Sequence, residues 1–243
     1  MTDFIVEKVT DLSFDPQQCP LSKEIKETWI KLISTNNPIM DNGQMVCLNL
    51  SDEIRNKIFD YGQKILMEFI ESEKLINECY SIKNKYISNE DDVNNTNSYL
   101  KNIFNIIVNM DRSYKYLWNI VKDLINNVES YKEYILWQKN TTKIGAEVYN
   151  KWDFIYNIRN EIEHPENIKT TMFSRVSGGS VIPQIIYKNK SYDLLEIANE
   201  ALQCMCVYFC IIIQAALLNS KYVVAFTDES RKIIYGSENI ING

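Results

Sequence analysis

Apolar residues recur along this chain at alternating steps of four and three, and little interrupts them. Ile54, Ile58, Tyr61, Ile65 and Phe69 form one such stripe. Leu100, Ile103, Ile107 and Met110 begin another, which Tyr114, Leu117, Val121, Leu124 and Val128 extend. That spacing lines one face of an α-helix. Only 7 Gly and 5 Pro occur in 243 residues, so obligate turns and helix breakers are scarce and long helices are favoured over a many-stranded sandwich. With 45% hydrophobic and 24% charged residues, the chain has a globular balance and the length to bury a sizeable core.

Read in order, residues 1 to 21 are irregular, with Pro16 and Pro20 as stops, and Ser22 to Ser34 form a short helix with Ile25, Trp29, Leu32 and Ile33 on one side. "NNPIMDNGQ" is turn chemistry, and "MVCLNL" after it a short strand. Ser51 is placed to cap the next helix, with Asp52 and Glu53 favourable in its first turn; the stripe predicts a helix to about Tyr80. "SNEDDVNNTNS" is expected as an exposed loop. The second stripe predicts one long or kinked helix reaching past Tyr131, and Thr141 or Thr142 starts another that runs to His164. "FSRVSGGSVIPQIIYKNKSY" alternates and carries turn residues, which predicts one or two β-hairpins with Pro183 in an edge or irregular piece. Asp193 and Glu196 resemble a capping box, opening a helix to about Asn219. "YVVAF" is a final short strand, and no pattern follows Asp228. The expected organisation is an N-terminal extension over 1–50, a helical domain over 51–227 with a β-insert at about 170–192, and a tail over 228–243. The fold class is mainly α: a helical bundle with a small β-hairpin insert between its last two long helices.

Net charge is −6, which offers no global attraction to nucleic acid, so a polyanion partner would need a local basic patch. Between Lys139 and Lys190 there are eight basic and five acidic residues, a modest local excess of positive charge. The six cysteines form no C-x-x-C pair, and one histidine does not complete a usual zinc pattern, so no metal and no cofactor are expected. Cys206 and Cys210 lie one helical turn apart and could face a common ligand; the competing reading is that they are small buried hydrophobes. The N-terminus has no basic region followed by an apolar stretch, so a cytoplasmic protein is expected. "LQCMCVYFCIIIQAALL" (202–218) sits at the short limit of a membrane span and is interrupted by Gln203 and Gln214. It reads as a central buried helix, with no membrane association.

The one histidine, His164, lies in "RNEIEHP" (159–165). Val148, Trp152, Ile155, Arg159 and Ile162 make the core-facing stripe of the helix that leads there. Arg159 breaks that stripe and needs a partner or a cleft, because burying an unpaired charge is costly. Glu163, one turn on, is a candidate ion-pair partner. Asn160 and His164 are four apart and share a face. Pro165 disfavours helix at His164, so the helix should end there, freeing the imidazole to turn toward Arg159.

Arg-Asn-x3-His late on a helix of a helical bundle resembles the R-x4–6-H motif of the HEPN superfamily, and "FIYNIRNEIEHP" is similar to the way many bacterial HEPN families write this helix. The match covers about a dozen residues, and the N-terminal region and β-insert lie outside the superfamily core. The resemblance implies a metal-independent endoribonuclease acting as a homodimer, with Arg159, Asn160 and His164 as catalytic residues. His164 would do acid/base work, Arg159 would stabilise the phosphate and Asn160 would position the groups. Tyr156, Lys151, Lys169 and Arg175 are candidates for RNA binding, Tyr156 by stacking on a base or, more blandly, as a core or interface aromatic. With one histidine per chain, a base and an acid together require two chains. The resemblance further implies a toxin of a toxin–antitoxin pair or an abortive-infection effector silenced by a protein partner. The alternatives are a non-catalytic HEPN-like binding or regulatory module, or a generic helical domain in which Arg159 and His164 point in unrelated directions.

Overall fold

The structure, a computed structural model, describes residues 20–33, 39–41, 44–48, 50–87, 93–141, 143–163, 171–175, 181–187, 189–221, 223–226 and 233–235. It is mostly helical. Helices α1 (Leu21–Ile33), α2 (Asp52–Ile87), α3 (Val93–Leu124), α4 (Tyr131–Thr141), α5 (Lys143–Glu163) and α6 (Leu194–Leu218) carry the core. Strands β1 (Ile39–Asp41) and β2 (Gln44–Leu48) precede α2, β3 (Thr171–Arg175), β4 (Val181–Tyr187) and β5 (Lys190–Asp193) separate α5 from α6, and β6 (Val223–Phe226) and β7 (Ile233–Tyr235) follow α6. Contacts group the chain into two compact units. The first comprises Met1–Leu66, Tyr114–Tyr149 and Cys206–Gly243; the second comprises Met67–Ser113 and Asn150–Met205.

In the first unit, α2 starts as its sequence predicts. Ser51 Oγ accepts from the Ile54 amide at 3.4 Å and the Ser51 carbonyl accepts from the Arg55 amide at 2.9 Å. Ile58 and Ile65 of the predicted stripe are fully buried. Below them, Trp29 of α1 packs on Phe209 of α6, ring centroids 5.9 Å apart. The one long or kinked helix expected past Tyr131 is instead two helices. α3 stops at Leu124, whose carbonyl accepts from the Lys221 amide at 3.1 Å, and Asn127 adopts φ 60°. Asparagine tolerates that left-handed conformation better than most residues. A capping box then opens α4: Ser130 Oγ accepts from the Glu133 amide at 3.3 Å, and Glu133 Oε2 accepts from the Ser130 amide at 2.8 Å and the Glu129 amide at 2.9 Å. Behind this corner Tyr114, Tyr134 and Tyr208 are fully buried. Tyr114 stacks on Tyr208 at 5.5 Å and donates to Gln138 Oε1 at 3.3 Å. Burial pushes all three phenols well above their ordinary pKa.

The same unit holds an antiparallel sheet of order β1-β2-β6-β7, with Val46 opposite Ala225 and Ala225 opposite Ile234. β7 falls in the stretch after Asp228 for which the sequence predicts no element; a three-residue strand is too short to show alternation. Cys206 Sγ reaches the Leu21 carbonyl at 3.9 Å and Cys210 Sγ reaches Thr28 Oγ1 at 3.6 Å, both thiols buried. Among the described residues no group of three or more His, Cys, Asp or Glu could hold a metal ion.

In the second unit, α2 and α3 run further than predicted. α2 reaches Ile87, not about Tyr80. α3 begins at Val93, so part of the polar stretch expected as a loop is helical, with Asn97 and Ser98 exposed. The antiparallel sheet of order β3-β4-β5 fills the interval between α5 and α6. β4 is its central strand, but at Pro183 it is paired on one side only, the edge position expected for a proline. The proline is accommodated because β5 pairs only with Gln184–Tyr187, so Pro183 has a neighbour on the β3 side alone, where it faces Phe173. Asn189, at φ 63°, turns the chain from β4 into β5. Asp193 then serves two purposes. Its Oδ1 accepts from the Leu195 amide at 2.8 Å and the Glu196 amide at 3.4 Å, starting α6, and its Oδ2 meets Lys83 Nζ at 2.9 Å.

Leu194–Ile213 of α6 is long and apolar enough, by length and composition, to cross a membrane, and 72% of that window is buried inside the protein. The burial accounts for its composition as that of a core helix.

Candidate functional site

The residues singled out at the end of α5 lie in the second unit. Trp152, Ile155 and Ile158 are buried against its core, which sets the rotation of the helix about its axis. Arg159 follows directly, and only 17% of its side chain is exposed. Its Nη2 lies 3.7 Å from Asp111 Oδ2 of α3, and the Asp111 side chain is 4% exposed. Its Nη1 donates to Asn160 Oδ1 at 3.1 Å. The guanidinium carbon stands 6.0 Å from the centroid of the Tyr156 ring, at the outer limit of a cation–π contact. The guanidinium is therefore set between an aromatic ring, a neutral amide oxygen and a buried carboxylate. The partner expected from the sequence was Glu163; the ion pair described here is with Asp111, and the Glu163 side chain lies outside the described residues.

Asp111 is the residue that sequence reasoning missed. The signal was of the same kind that singled out Arg159. Asp111 stands four residues after Ile107 and three before Tyr114, so it occupies the apolar stripe of α3. Two opposite charges, each on the core-facing stripe of its own helix, have an electrostatic reason to meet. The neighbouring polar residues are also buried: Asn109 to 3% and Ser113 to 0% exposure. With its amide turned so that nitrogen faces Glu68 Oε2 at 2.9 Å, Asn109 accepts from Ser72 Oγ at 3.2 Å through its oxygen. Glu68 also lies 3.8 Å from Arg112 Nη1. Burial raises the Glu68 carboxyl above its ordinary pKa, Arg112 opposes that shift and Glu71 adds to it.

The other predicted residues separate. Asn160 joins Arg159, and Tyr156 lies beneath it. Lys151 is about 12 Å back along the helix axis and pairs with Glu200 Oε1 at 3.3 Å, both side chains exposed. Arg175 ends β3, and its side chain lies outside the described residues, as do His164 and Lys169 entirely. The described part of the constellation thus consists of Arg159, Asn160 and Tyr156, with Asp111 behind them.

A separate cleft of about 620 Å³ in the first unit is lined by Ser51, Lys57, Lys122, Asp123 and Lys221 among others. Its three lysines are balanced by Glu53, Asp123 and Glu129, so it has no charge preference, and none of the residues predicted for RNA work lines it. No family model matches the sequence, and comparison with curated proteins and with solved structures finds no similar chain.

Proposed function

We propose that this chain is a metal-independent endoribonuclease of HEPN type that cleaves RNA at a cleft between two copies. The observation that carries the reading is the state of Arg159, near the C-terminal end of α5. It is anchored through Nη1 to Asn160 and yet keeps part of its side chain open to solvent. A guanidinium held in that way can take a phosphate oxygen and stabilise charge that develops at a pentacoordinate phosphorus.

The ribose 2′-OH supplies the nucleophile, so the chemistry needs no protein nucleophile and no metal. One His164 removes the 2′-OH proton, the O2′–P bond forms and the P–O5′ bond breaks. The His164 of the second copy protonates the departing 5′-oxygen. The products are a 2′,3′-cyclic phosphate and a 5′-hydroxyl. On this reading the protein acts in the cytoplasm as a toxin or phage-defence effector restrained by an antitoxin or regulatory partner.

The test is cleavage of RNA in the presence of chelator by the wild-type protein and by His164→Ala. Cleavage with cyclic-phosphate ends, lost in the variant, is the expected result. Equal cleavage by the variant overturns the assignment. A second reading, a non-catalytic binding or regulatory module, is favoured by the Arg159–Asp111 ion pair, which alone accounts for a cation on an apolar stripe. It predicts no cleavage by the wild-type protein.

A further inference from the structure

Resting on the ribonuclease reading, we infer that Asp111 is a positioning residue for Arg159, orienting the guanidinium for contact with a phosphate of RNA. Two roles are open to a carboxylate beside a phosphate-binding arginine. It can stand in front and compete with the phosphate, or stand behind and orient the cation. Burial separates them. The Asp111 side chain is 4% exposed and the Arg159 side chain 17%, so the carboxylate lies on the inner side of the pair and the arginine on the outer side. A phosphate arriving from solvent meets Arg159 first and does not have to displace Asp111.

The contacts also divide the guanidinium. Nη2 faces Asp111 and Nη1 faces Asn160, while the Tyr156 ring lies beneath. This limits the rotation of a side chain that otherwise has many rotamers, and part of the ordering cost of phosphate binding is met in the free protein. The 3.7 Å separation is an ion-pair distance and longer than a tight hydrogen bond. Asp111 comes from α3 and Arg159 from α5, so the alignment depends on the packing of two helices.

The test is binding of a fluorescein-labelled 2′-O-methyl oligouridine, which has no free 2′-OH and is not cleaved by 2′-OH attack, read by anisotropy beside melting temperatures. Arg159→Ala is expected to weaken binding about tenfold. Asp111→Asn should weaken it to a similar degree, and the double variant no further, because Asp111 acts only through Arg159. Wild-type affinity or tighter binding in a folded Asp111→Asn protein overturns the inference, as does an Arg159→Ala protein that binds normally. If Asp111→Asn does not fold, Asp111→Glu decides. It keeps the charge but displaces it by one methylene, so weaker binding at a native melting temperature supports positioning, and unchanged binding overturns it. Cleavage of unmodified RNA is measured alongside. A wild-type protein that binds the probe but cleaves nothing refutes the nuclease and leaves the positioning role standing; one that neither binds nor cleaves refutes both.

Discussion

The Arg159 guanidinium lies 3.7 Å from the Asp111 carboxylate, and the acid is the more deeply buried partner. This asymmetry makes the two single removals unequal. Arg159→Met takes the nearest cation from a carboxylate with almost no access to water, and its expected cost is about 3 kcal/mol. Asp111→Asn leaves a cation that retains some solvent and an isosteric amide beside it, so about 1 kcal/mol is expected. The double variant Asp111→Leu/Arg159→Met should be at least as stable as Arg159→Met alone, because no charge is left in the pair. Denaturant unfolding of the variants checks the order, and an Asp111→Asn loss larger than that of Arg159→Met would refute it.

The same pair shows what could be read from the sequence. Periodicity found α2, α3 and α5 because their buried faces repeat every three or four residues, and it marked Arg159 as a charge on such a face; α6 was legible from its Asp193–Glu196 cap and its apolar run instead. Asp111 obeys the same rule, but its stripe leads to no histidine or motif that would set it apart from the rest of α3. The break between α3 and α4 was missed for a different reason. Val128 continues the apolar stripe, so the pattern runs through the corner, and the stop is written in Asn127 and the Ser130–Glu133 cap instead. The three-stranded insert is the pair of consecutive hairpins that its alternation and turn residues predict, whereas β7, three residues long, is too short to show alternation.

The α4 cap carries its own prediction. Ser130→Ala removes the acceptor for the Glu133 amide and should cost about 1 kcal/mol. Glu133 is held below the ordinary carboxylate range first by the Ser130 amide, then by the Ser130 side chain and the Glu129 amide. A depressed pKa stabilises the folded protein above the unfolded value and loses that effect as pH falls through the folded one. Glu133→Gln should therefore lower the melting temperature at neutral pH and make no difference in strong acid. An equal deficit at both pH values would show that the carboxylate charge is irrelevant to the cap.

Gly62 is held to glycine by Trp29. A Cβ on Gly62 would collide with Cε2, Cζ2 and Nε1 of the indole, which itself packs on Phe209. Alanine favours a helix by about 1 kcal/mol over glycine, but overpacking costs about 1–3 kcal/mol, so Gly62→Ala should destabilise. Phenylalanine is smaller and lacks the indole Nε1 and Cζ2, so Trp29→Phe in the Gly62→Ala background should cost less than Trp29→Phe costs in the wild type. Additive losses in a double-mutant cycle would refute the collision.

Glu68 gives the opposite pH signature to Glu133. Burial raises its carboxyl above the usual value despite Arg112, so the folded state holds the Glu68 proton more tightly than the unfolded state does. Its ionisation then lowers stability as pH climbs from the ordinary carboxylate value through the folded one. At neutral pH the desolvation of the charged side chain is opposed by the Asn109 amide that donates to it and by Arg112 at 3.8 Å. Gln in its place can still accept from Asn109 without ionising. Glu68→Gln should therefore melt higher than wild type at pH 7, with the gain vanishing below about pH 4. Lower stability at pH 7 would mean that the hydrogen bond and the Arg112 charge outweigh desolvation. The network from Ser72 through Asn109 to Glu68 would then be a source of stability in α3, two residues from Asp111.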